Sequence, residues 1–295
     1  MTVSTNDTAV TTRVASLEEI NLLLEWAGDE GWNPGLDDAQ LFHASDASGF
    51  LVSTINDHIV AGISLVKHSA DQSFLGLYLC KPEHRGTGIG IATWRAALDT
   101  IDNHTIGLDG VVDQQDNYRK SGFVYCFGNR RYAGTLAFND GDVIPVAKCG
   151  TVQIANATHA DINAIIDYDA SIGGGNRSRF FNAWMQACSS RNTFIALEGH
   201  NVVGIVGVRR CQDGYKVGPW LADSRLIATR LLAAVSAVTK DESVMIDIPD
   251  INVTSIEIAE SLSLRSMFDT ARMYKGKVPD IDRHRLFGVA TLELG

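Results

Sequence analysis

The chain has 295 residues, of which 45% are hydrophobic and 20% charged, so it can bury a core of one large domain or two of the usual size. Its formal net charge is −10, and no run of Lys or Arg is longer than a pair, which argues against nucleic acid as a partner. The same acidic balance favours cationic acceptors such as amines in the long-range field.

The amino-terminal residues and the cysteines indicate a compartment. Residues 1–10 have neither a basic start nor an apolar core, and no apolar stretch approaches the roughly 20 residues of a membrane span. We therefore predict a cytoplasmic protein without a membrane partner, either monomeric or homodimeric. The five cysteines are scattered, which predicts reduced thiols, and neither they nor the eight histidines have metal-ligand spacing, so we predict no metal.

Hydrophobic periodicity and turn residues define the elements of the first half in chain order. Successive strands, followed by a helix that leads to a further strand, predict a mixed α/β sheet. The predicted helices are 17–27, 37–44, one that ends near residue 100, and 114–121, and the predicted strands are 49–55, 59–67, 73–80, 105–111 and 123–131.

The most informative segment joins the third of these strands to the helix after it. The apolar run from Leu75 to Cys80 is stopped by Pro82, and Arg85-Gly-Thr-Gly-Ile-Gly90 leads directly into the helix. Glycines at alternate positions let backbone N–H groups converge on one point, where the helix adds its unpaired first-turn donors and positive dipole end. The segment therefore predicts an anion site that fits a pyrophosphate, although a flexible turn before an ordinary helix is the simpler alternative.

Two other glycine-loop families are excluded by spacing. The dinucleotide fingerprint requires Gly-x-Gly-x-x-Gly, whereas the glycines here alternate from Gly86 to Gly90. The nucleotide P-loop requires Lys followed by Ser or Thr after its last glycine, and here Ile91 and Ala92 follow.

The second half repeats the first at a nearly constant offset. Its predicted helices are 158–168, 178–188, 224–239 and 252–261, and its predicted strands are 193–198, 201–209, 214–220, 243–248 and 266–274. Four pairs of segments match in order: 14–20 with 154–160, 93–98 with 231–235, 108–110 with 246–248, and 130–134 with 272–276. We predict two copies of one fold, an N-terminal domain 1–141 and a C-terminal domain 142–295, joined near residues 142–150.

The two copies differ at the glycine loop. Residues 85–90 align with Asp223–Ala228, which contain no glycine, and Asp223 would repel a pyrophosphate. Gly173-Gly-Gly175 does not replace the loop, because no apolar strand precedes it in the needed register, and we interpret it as a linker between helices. The sequence therefore predicts one anion site per chain, in the first half.

The loop, together with Tyr118-x-x-x-Gly122-Phe123 at a helix end, resembles the acyl-CoA site of the GNAT superfamily of N-acetyltransferases. Nearly the whole chain is similar to a two-domain bacterial group sometimes called YitH-like. The resemblance implies an α/β (α+β) tandem GNAT fold, in which a mixed, mostly antiparallel sheet is flanked by helices in each half. It implies acetyl-CoA as cosubstrate, bound by Leu79, Cys80, Arg85, Gly86, Thr87, Gly88, Ile89, Gly90, Asn117 and Tyr118.

The resemblance also implies catalytic roles for Tyr118 and Cys80. The Tyr118 hydroxyl would protonate the thiolate that leaves when an amine attacks the thioester. The backbone N–H of Cys80 would bind the acetyl carbonyl oxygen in the manner of an oxyanion hole. The sharper alternative makes the Cys80 thiol an acylated nucleophile, but direct transfer needs none.

The general base and the acceptor are not defined by the sequence. Many GNAT enzymes have a glutamate on the strand before the loop, where this chain has Gly76-Leu-Tyr78. The resemblance places Asp29, Glu30, Trp32 and Asp113 on the acceptor side, and each of the three acids could deprotonate an ammonium. Asp109 is a further candidate, but its repeat Asp247 persists in the second half, which favours a structural role for both.

The predicted function is therefore transfer of an acetyl group from acetyl-CoA to a primary amine of a small-molecule or peptide acceptor by the first half, with the second half closing over the acceptor site. The alternative is a non-catalytic acyl-CoA-binding or regulatory module. A third class, an aminoacyl or peptidyl transferase, would need a basic face for tRNA, which the acidic balance disfavours.

Overall fold

The two copies predicted from the sequence are recognisable in a computed structural model of the chain, which describes residues 10–102, 104–138 and 152–295. Its helices are α1 Leu17–Asp29, α2 Asp38–Ser45, α3 Ile89–Leu98, α4 Gln115–Lys120, α5 Ile162–Asp169, α6 Ser178–Trp184, α7 Arg225–Thr239 and α8 Val253–Ser261. Its strands are β1 Thr11–Val14, β2 Phe50–Ile55, β3 His58–Lys67, β4 Gln72–Cys80, β5 Thr105–Val111, β6 Val124–Thr135, β7 Val152–Asn156, β8 Arg191–Glu198, β9 Asn201–Arg210, β10 Tyr215–Ala222, β11 Ser243–Pro249, β12 Arg265–Lys275 and β13 Leu286–Gly288.

The predicted elements are confirmed with three additions, and two helices are shorter than predicted. Helix α5 begins at Ile162 rather than at residue 158, after a 3-10 turn over His159–Asp161. Strands β1, β7 and β13 were not predicted, because segments of three to five residues are too short to show alternation. Helix α6 ends at Trp184 rather than near residue 188, and the guanidinium of Arg191 donates to the carbonyl oxygen of Trp184 at this end (2.8 Å). The predicted junction between the halves, at 141/142 and within 142–150, lies outside the described residues.

The strands form one continuous sheet in which the two halves exchange their last strands. The order is β1-β2-β3-β4-β5-β12-β6-β11-β10-β9-β8-β7, with β13 paired to β10. Strand β6 of the first half thus lies beside β11 of the second, and β12 of the second half lies beside β5 of the first. Most pairs are antiparallel, and the exceptions are β4 with β5 and β10 with β11. The predicted mixed, mostly antiparallel sheet is confirmed, but neither half forms its sheet alone.

Two buried ion pairs hold the exchanged strands in equivalent registers. Asp109 on β5 binds Arg272 on β12 (2.7 Å), and Asp247 on β11 binds Arg131 on β6 (2.8 Å). The equivalent arginines are therefore Arg131 and Arg272, and the predicted match of Arg130 with Arg272 is wrong by one residue. The aspartate that each arginine binds fixes the register. Comparison of the two segments by residue identity alone could not reveal these partners.

The turns after α4 and α8 are equivalent and align Tyr118 with Ala259. The N–H of Phe123 donates to the Tyr118 carbonyl (3.1 Å), and the N–H of Leu264 donates to the Ala259 carbonyl in the same way (3.0 Å). Gly122 and Ser263 both have positive φ at these turns, 90° and 60°.

The core on one face of the sheet is shared by both halves. Helices α1 and α2 of the first half and α5 and α6 of the second pack into one hydrophobic cluster, which includes the fully buried Ile20, Phe42, Ile165 and Phe180. The carboxy-terminal Leu294 belongs to the same cluster. This shared core fixes the position of the second half against the first half's sheet.

Candidate active site

Strands β4 and β5 separate partway along their length and open a cleft. They pair in parallel from Gln72 with Thr105 to Leu75 with Leu108, and beyond these residues they are no longer paired. The register of β4 against β3 shifts between Gly62 and Ser64, and opposite this shift Leu77 has a positive φ of 43°. An irregularity of this kind turns the backbone of β4 at the point where the cleft begins.

The cleft contains a cavity of about 710 Å³, within the size range of small-molecule sites. Its lining combines most of the predicted cofactor residues with several predicted acceptor residues. The predicted residues that line it are Glu30, Trp32, Leu79, Cys80, Arg85, Gly86, Gly88, Gly90, Asp113 and Tyr118.

The glycine loop presents an open helix terminus to this cavity. Gly88 is the N-cap of α3 and has a φ of 92°, and no side chain caps the first-turn N–H groups. A Cβ built on Gly86 or Gly88 would meet nothing within 4 Å, so the space in front of the helix is open. A Cβ on Gly90 would lie 2.8 Å from the hydroxyl oxygen of Tyr78, which leaves no room for a side chain. These features fit a bound pyrophosphate.

Backbone groups of Cys80 face the cleft rather than β3. The N–H of Lys81 donates to the Val60 carbonyl (3.0 Å), and Cys80 is paired with Ala61. Because hydrogen-bonded and non-hydrogen-bonded pairs alternate in an antiparallel ladder, the N–H and C=O of Cys80 point away from β3. The Cys80 carbonyl indeed accepts from Nε of Arg85 (2.9 Å). Burial raises the pKa of the Cys80 thiol, which disfavours a nucleophilic thiolate.

Tyr118 on α4 is held against the floor of the cleft. Its ring stacks on Trp94 with 5.5 Å between centroids, and a Cβ on Gly110 of β5 would lie 2.7 Å from the Tyr118 ring. The residue is 8% exposed, and burial raises its pKa, so the hydroxyl keeps its proton at neutral pH. Among the described residues no hydrogen-bond partner is found for this hydroxyl, which leaves its proton available to a ligand.

The other predicted site residues lie around or outside the cavity. Glu30 forms an ion pair with Arg85 at the cavity wall, and Trp32 and Asp113 also line it. The side chains of Thr87 and Asn117 bond within their own turns, to the His84 carbonyl and to Gln114. Asp29 is exposed on α1, and Ile89 is buried at the start of α3. Neither of these two residues lines the cavity.

The far wall of the cavity comes from residues that the sequence did not predict. Exchanged strand β12 supplies Phe268 and Thr270, β6 supplies Arg131, and the carboxy-terminal segment supplies Leu292 and Glu293. The backbone of Glu293 is so close to Gly76 that a Cβ there would lie 2.1 Å from the Glu293 carbonyl oxygen. Glutamate within the apolar run 286–294 was the one available signal, but its place depends on the long-range course of the chain.

The equivalent cleft of the second half is closed by the chain itself. Strands β10 and β11 pair from Tyr215 with Val244 to Val217 with Ile246, and β13 then pairs with β10. The N–H of Val289 donates to the Asp247 carbonyl of β11 (3.0 Å), so the carboxy-terminal segment bridges the two strands.

The terminus of α7, the counterpart of α3, is also closed. The hydroxyl of Ser224 accepts from the N–H of Ile227 (3.4 Å), and Asp223, which precedes it, binds Arg285 (2.7 Å).

The described residues offer neither a membrane-spanning helix nor a metal-binding cluster. No helix among them is long and apolar enough to cross a membrane. Within the same ranges, no group of three or more His, Cys, Asp and Glu side chains could hold a metal ion.

Comparisons with known proteins agree with this architecture. The profile described as "Acetyltransferase (GNAT) family" matches residues 17–125, and that described as "Acetyltransferase (GNAT) domain" matches residues 165–288. Over 286 residues the chain is 33% identical to holothin acyltransferase of Pseudoalteromonas sp. (strain SANK 73390), covering 97% of this chain and 94% of the relative. The fold and these matches define a tandem GNAT protein, and the chain belongs to the GNAT family of acyltransferases.

Two solved structures have the same fold at low sequence identity. A protein of Pyrococcus horikoshii described as a candidate acetyltransferase is 20% identical with a TM-score of 0.79, covering 100% of this chain and 98% of its own. A tandem GNAT protein from the clavulanic acid biosynthesis pathway is 12% identical with a TM-score of 0.61, covering 92% of this chain and 100% of its own. Each half of the chain therefore has a counterpart in a known tandem arrangement.

Proposed function

We propose that the first half transfers an acetyl group from acetyl-CoA directly to a primary amine of a small-molecule or peptide acceptor. The observation that carries this proposal is one cavity lined by the open glycine loop, the cleft-facing backbone of Cys80 and the buried Tyr118. The loop would bind the pyrophosphate of the cosubstrate, the Cys80 N–H would stabilise the developing oxyanion, and Tyr118 would protonate the leaving thiolate.

The glycine loop would hold acetyl-CoA. The N–H groups from Gly86 to Gly90 and the positive end of α3 would bind the pyrophosphate, and Leu79 and Cys80 would border the pantetheine arm. Thr87, Ile89 and Asn117 would contribute through their backbones or the loop shape, because their side chains do not line the cavity. When bound, acetyl-CoA supplies an acetyl group on a thiol leaving group.

Two different groups would transfer protons in the site, an acid beside the CoA sulfur and a base beside the amine. The Tyr118 O–H gives its proton to the sulfur as the C–S bond breaks and the new C–N bond forms, and solvent reprotonates the phenolate. The Cys80 N–H binds the carbonyl oxygen while negative charge develops on it. The amine loses its proton to a carboxylate or to water, and Asp113 is the predicted acid that lines the cavity without an ion-pair partner among the described residues.

The retention of Tyr118 favours catalysis over a non-catalytic acyl-CoA-binding module. A sensor needs the loop but has no use for a buried acid, and the second half lacks both, since Ala259 stands in the place of Tyr118. Assignment to the YitH-like group, a cytoplasmic location and a monomeric or dimeric state stay predictions.

Acetyl-CoA turnover with a set of acceptor amines tests the proposal. Holothin comes first because a relative is named for it, followed by aromatic and aliphatic primary amines and short peptides. Released CoA is measured with a thiol reagent and the acetylated product by mass spectrometry. We expect acetylated amine in stoichiometric amount with free CoA. Tight binding of acetyl-CoA without acetylation of any amine would instead support the non-catalytic module.

A further inference from the structure

We propose that Arg85 exchanges its partner Glu30 for the pyrophosphate of acetyl-CoA, and that this exchange frees the Glu30 carboxylate to bind the ammonium group of the acceptor. The inference rests on the proposed function and assigns two residues that couple cosubstrate binding to acceptor binding. It starts from the ion pair between these two side chains, both of which line the cavity.

The Arg85–Glu30 pair links the glycine loop to helix α1. Arg85 directly precedes Gly86, the first glycine of the loop, and Glu30 is the C-cap of α1, two residues before Trp32. Gly86 and Trp32 line the same cavity. The pair therefore connects a segment proposed for the cosubstrate with a segment predicted for the acceptor.

The pair is exposed, which makes it easy to exchange. The side chain of Arg85 is 52% exposed and that of Glu30 is 41% exposed. An ion pair exposed to this extent changes an equilibrium by a factor of roughly five at most. Arg131, the other arginine in the described wall of the cavity, is held in a buried pair with Asp247, in which the two side chains are 5% and 10% exposed. Breaking a buried pair costs far more, so Arg85 is the cation that changes partner.

A pyrophosphate is the stronger partner for Arg85. It carries two negative charges where Glu30 carries one, and a guanidinium binds phosphate oxygens through paired N–H groups. The pyrophosphate would lie at the open terminus of α3, in front of Gly88, and Arg85 precedes this terminus in the loop. Bound acetyl-CoA therefore draws the guanidinium away from Glu30 and toward the loop.

The second contact of Arg85 is exchanged at the same time. Its Nε donates to the Cys80 carbonyl (2.9 Å), which faces the cleft. The pantetheine arm contains amide N–H groups, and one of them replaces Nε when the arm lies beside Leu79 and Cys80. The carbonyl thus has a donor before and after the exchange, so no polar group is left unpaired there.

Glu30 needs another cation once Arg85 has moved. It lies at the carboxy-terminal end of α1, where the helix dipole opposes a negative charge, and the last turn of α1 contains no basic residue. No ion-pair partner of Glu30 other than Arg85 is found in the described part of the chain. An ammonium group in the cavity takes the place of the guanidinium, so the acceptor binds better after acetyl-CoA than before it. Such a coupling is reciprocal.

A double-mutant cycle read out by acetyl-CoA affinity tests the exchange. Arg85→Gln should weaken calorimetric binding of acetyl-CoA roughly 10-fold or more, because a charge-assisted contact with the pyrophosphate is lost. Glu30→Gln should strengthen it, by up to roughly fivefold, because the competing ion pair is gone. In the Arg85→Gln background, Glu30→Gln should change nothing.

The cycle distinguishes exchange from a general effect of charge. If Glu30 acted only through its field on the anionic cosubstrate, Glu30→Gln would strengthen binding equally in both backgrounds, and this result would overturn the exchange. Unchanged or weaker binding in the single Glu30→Gln variant would show that the pair stays closed around the bound cosubstrate, and would also overturn it.

Lys81 provides a matched control. Its Nζ lies 5.3 Å from the ring centroid of Trp26, so it joins the same segment to the same helix, but it does not line the cavity. Lys81→Gln removes one positive charge and one contact with α1 while the Arg85–Glu30 pair remains. Acetyl-CoA affinity should stay near the wild-type value. A loss as large as that of Arg85→Gln would assign the effect to the charge of the segment rather than to Arg85.

The release of Glu30 is tested with n-butylamine, a fully protonated ammonium at neutral pH with no other polar group. We expect it to bind roughly fivefold more tightly to the chain saturated with CoA than to the CoA-free chain. Glu30→Gln should remove this difference. Equal affinity with and without CoA, or no binding of n-butylamine in either state, would contradict the release of Glu30.

The outcomes keep this inference separate from the proposed function. Coupled binding of n-butylamine and CoA without acetylation of any amine would contradict the proposed function and support the exchange. Acetylation of amines by a chain in which Glu30→Gln leaves acetyl-CoA affinity unchanged would support the proposed function and overturn the exchange.

Discussion

The clefts of the two halves are built from equivalent strands, yet only one of them is open. Between β4 and β5 lies a cavity of about 710 Å³, whereas between β10 and β11 the segment from Leu286 to Val289 fills the corresponding gap. A strand pair that diverges is therefore not by itself a cofactor site. The difference lies in whether the chain supplies its own strand to the gap.

The helix termini beside the two clefts also differ, and again the first half is open and the second half is closed. Helix α3 begins at a glycine in a left-handed conformation with no side-chain cap, and α7 begins at Ser224, whose hydroxyl takes a first-turn N–H. Free N–H groups in front of α3 favour an anion, and Asp223 in front of α7 disfavours one. The first copy therefore presents a free helix terminus, and the second presents an ordinary capped helix.

The segment that closes the second cleft also completes the first. After β13 it continues to Leu292 and Glu293, which line the open cavity, and to Leu294, which packs in the shared core. The degenerate half therefore contributes to the site of the other half through this segment and through β12. This arrangement gives a physical reason for retaining the second copy.

Among the variants that distinguish the two halves, we expect the largest loss of activity from a change at Tyr118, the proposed general acid. Tyr118→Phe removes one hydroxyl that has no protein partner among the described residues, so the fold and acetyl-CoA affinity should hold while kcat falls roughly 10²- to 10⁴-fold. The matched control is Tyr168→Phe in the second half, whose hydroxyl binds Asp223, and it should leave kcat unchanged. Full turnover in the Tyr118 variant would assign the proton to water.

We expect the second-largest effect from a substitution in the glycine loop, which should lower the affinity for acetyl-CoA. Gly88→Asp places a negative charge in the open space in front of α3. Two like charges about 4 Å apart at an effective dielectric constant near 20 repel by about 4 kcal/mol, or roughly 10³-fold in the affinity for a pyrophosphate. Gly88→Asn is the control, because Asn tolerates the same positive φ without the charge. Calorimetric titration with acetyl-CoA should show a much larger loss for Asp than for Asn. Equal losses would point to loop shape rather than charge.

The two equivalent buried ion pairs allow a comparison in which we expect a smaller effect, with losses of stability of similar size in the two halves. Asp109→Ala and Asp247→Ala each leave a buried arginine without its carboxylate, so each should lower the free energy of unfolding by about 3–5 kcal/mol in chemical denaturation. Because Asp109 lines the cavity and Asp247 does not, activity per folded molecule distinguishes their roles. Similar activity in both variants supports a structural role, and a selective loss in the Asp109 variant would make it part of the site.

The sequence predicted the elements and the glycine loop because these depend on local patterns, whereas the role predicted for Tyr118 came from the resemblance to a family. Alternation of apolar residues predicts a strand but does not say which half it joins, so the exchange of β6 and β12 could not be read from it. The far wall of the cavity was missed for the same reason, since Glu293 reaches Gly76 across 217 residues of chain. The ion pair of Arg131 with Asp247 likewise required the pairing of strands from different halves.

Stoichiometry of acetyl-CoA binding tests the difference between the halves most directly. We expect one acetyl-CoA per chain by calorimetric titration, abolished by Gly88→Asp and unaffected by Ser224→Ala, which uncaps α7 but leaves its cleft filled. A stoichiometry of two, or binding that survives Gly88→Asp and is lost on changing the α7 terminus, would contradict the assignment of the cofactor site to the first half.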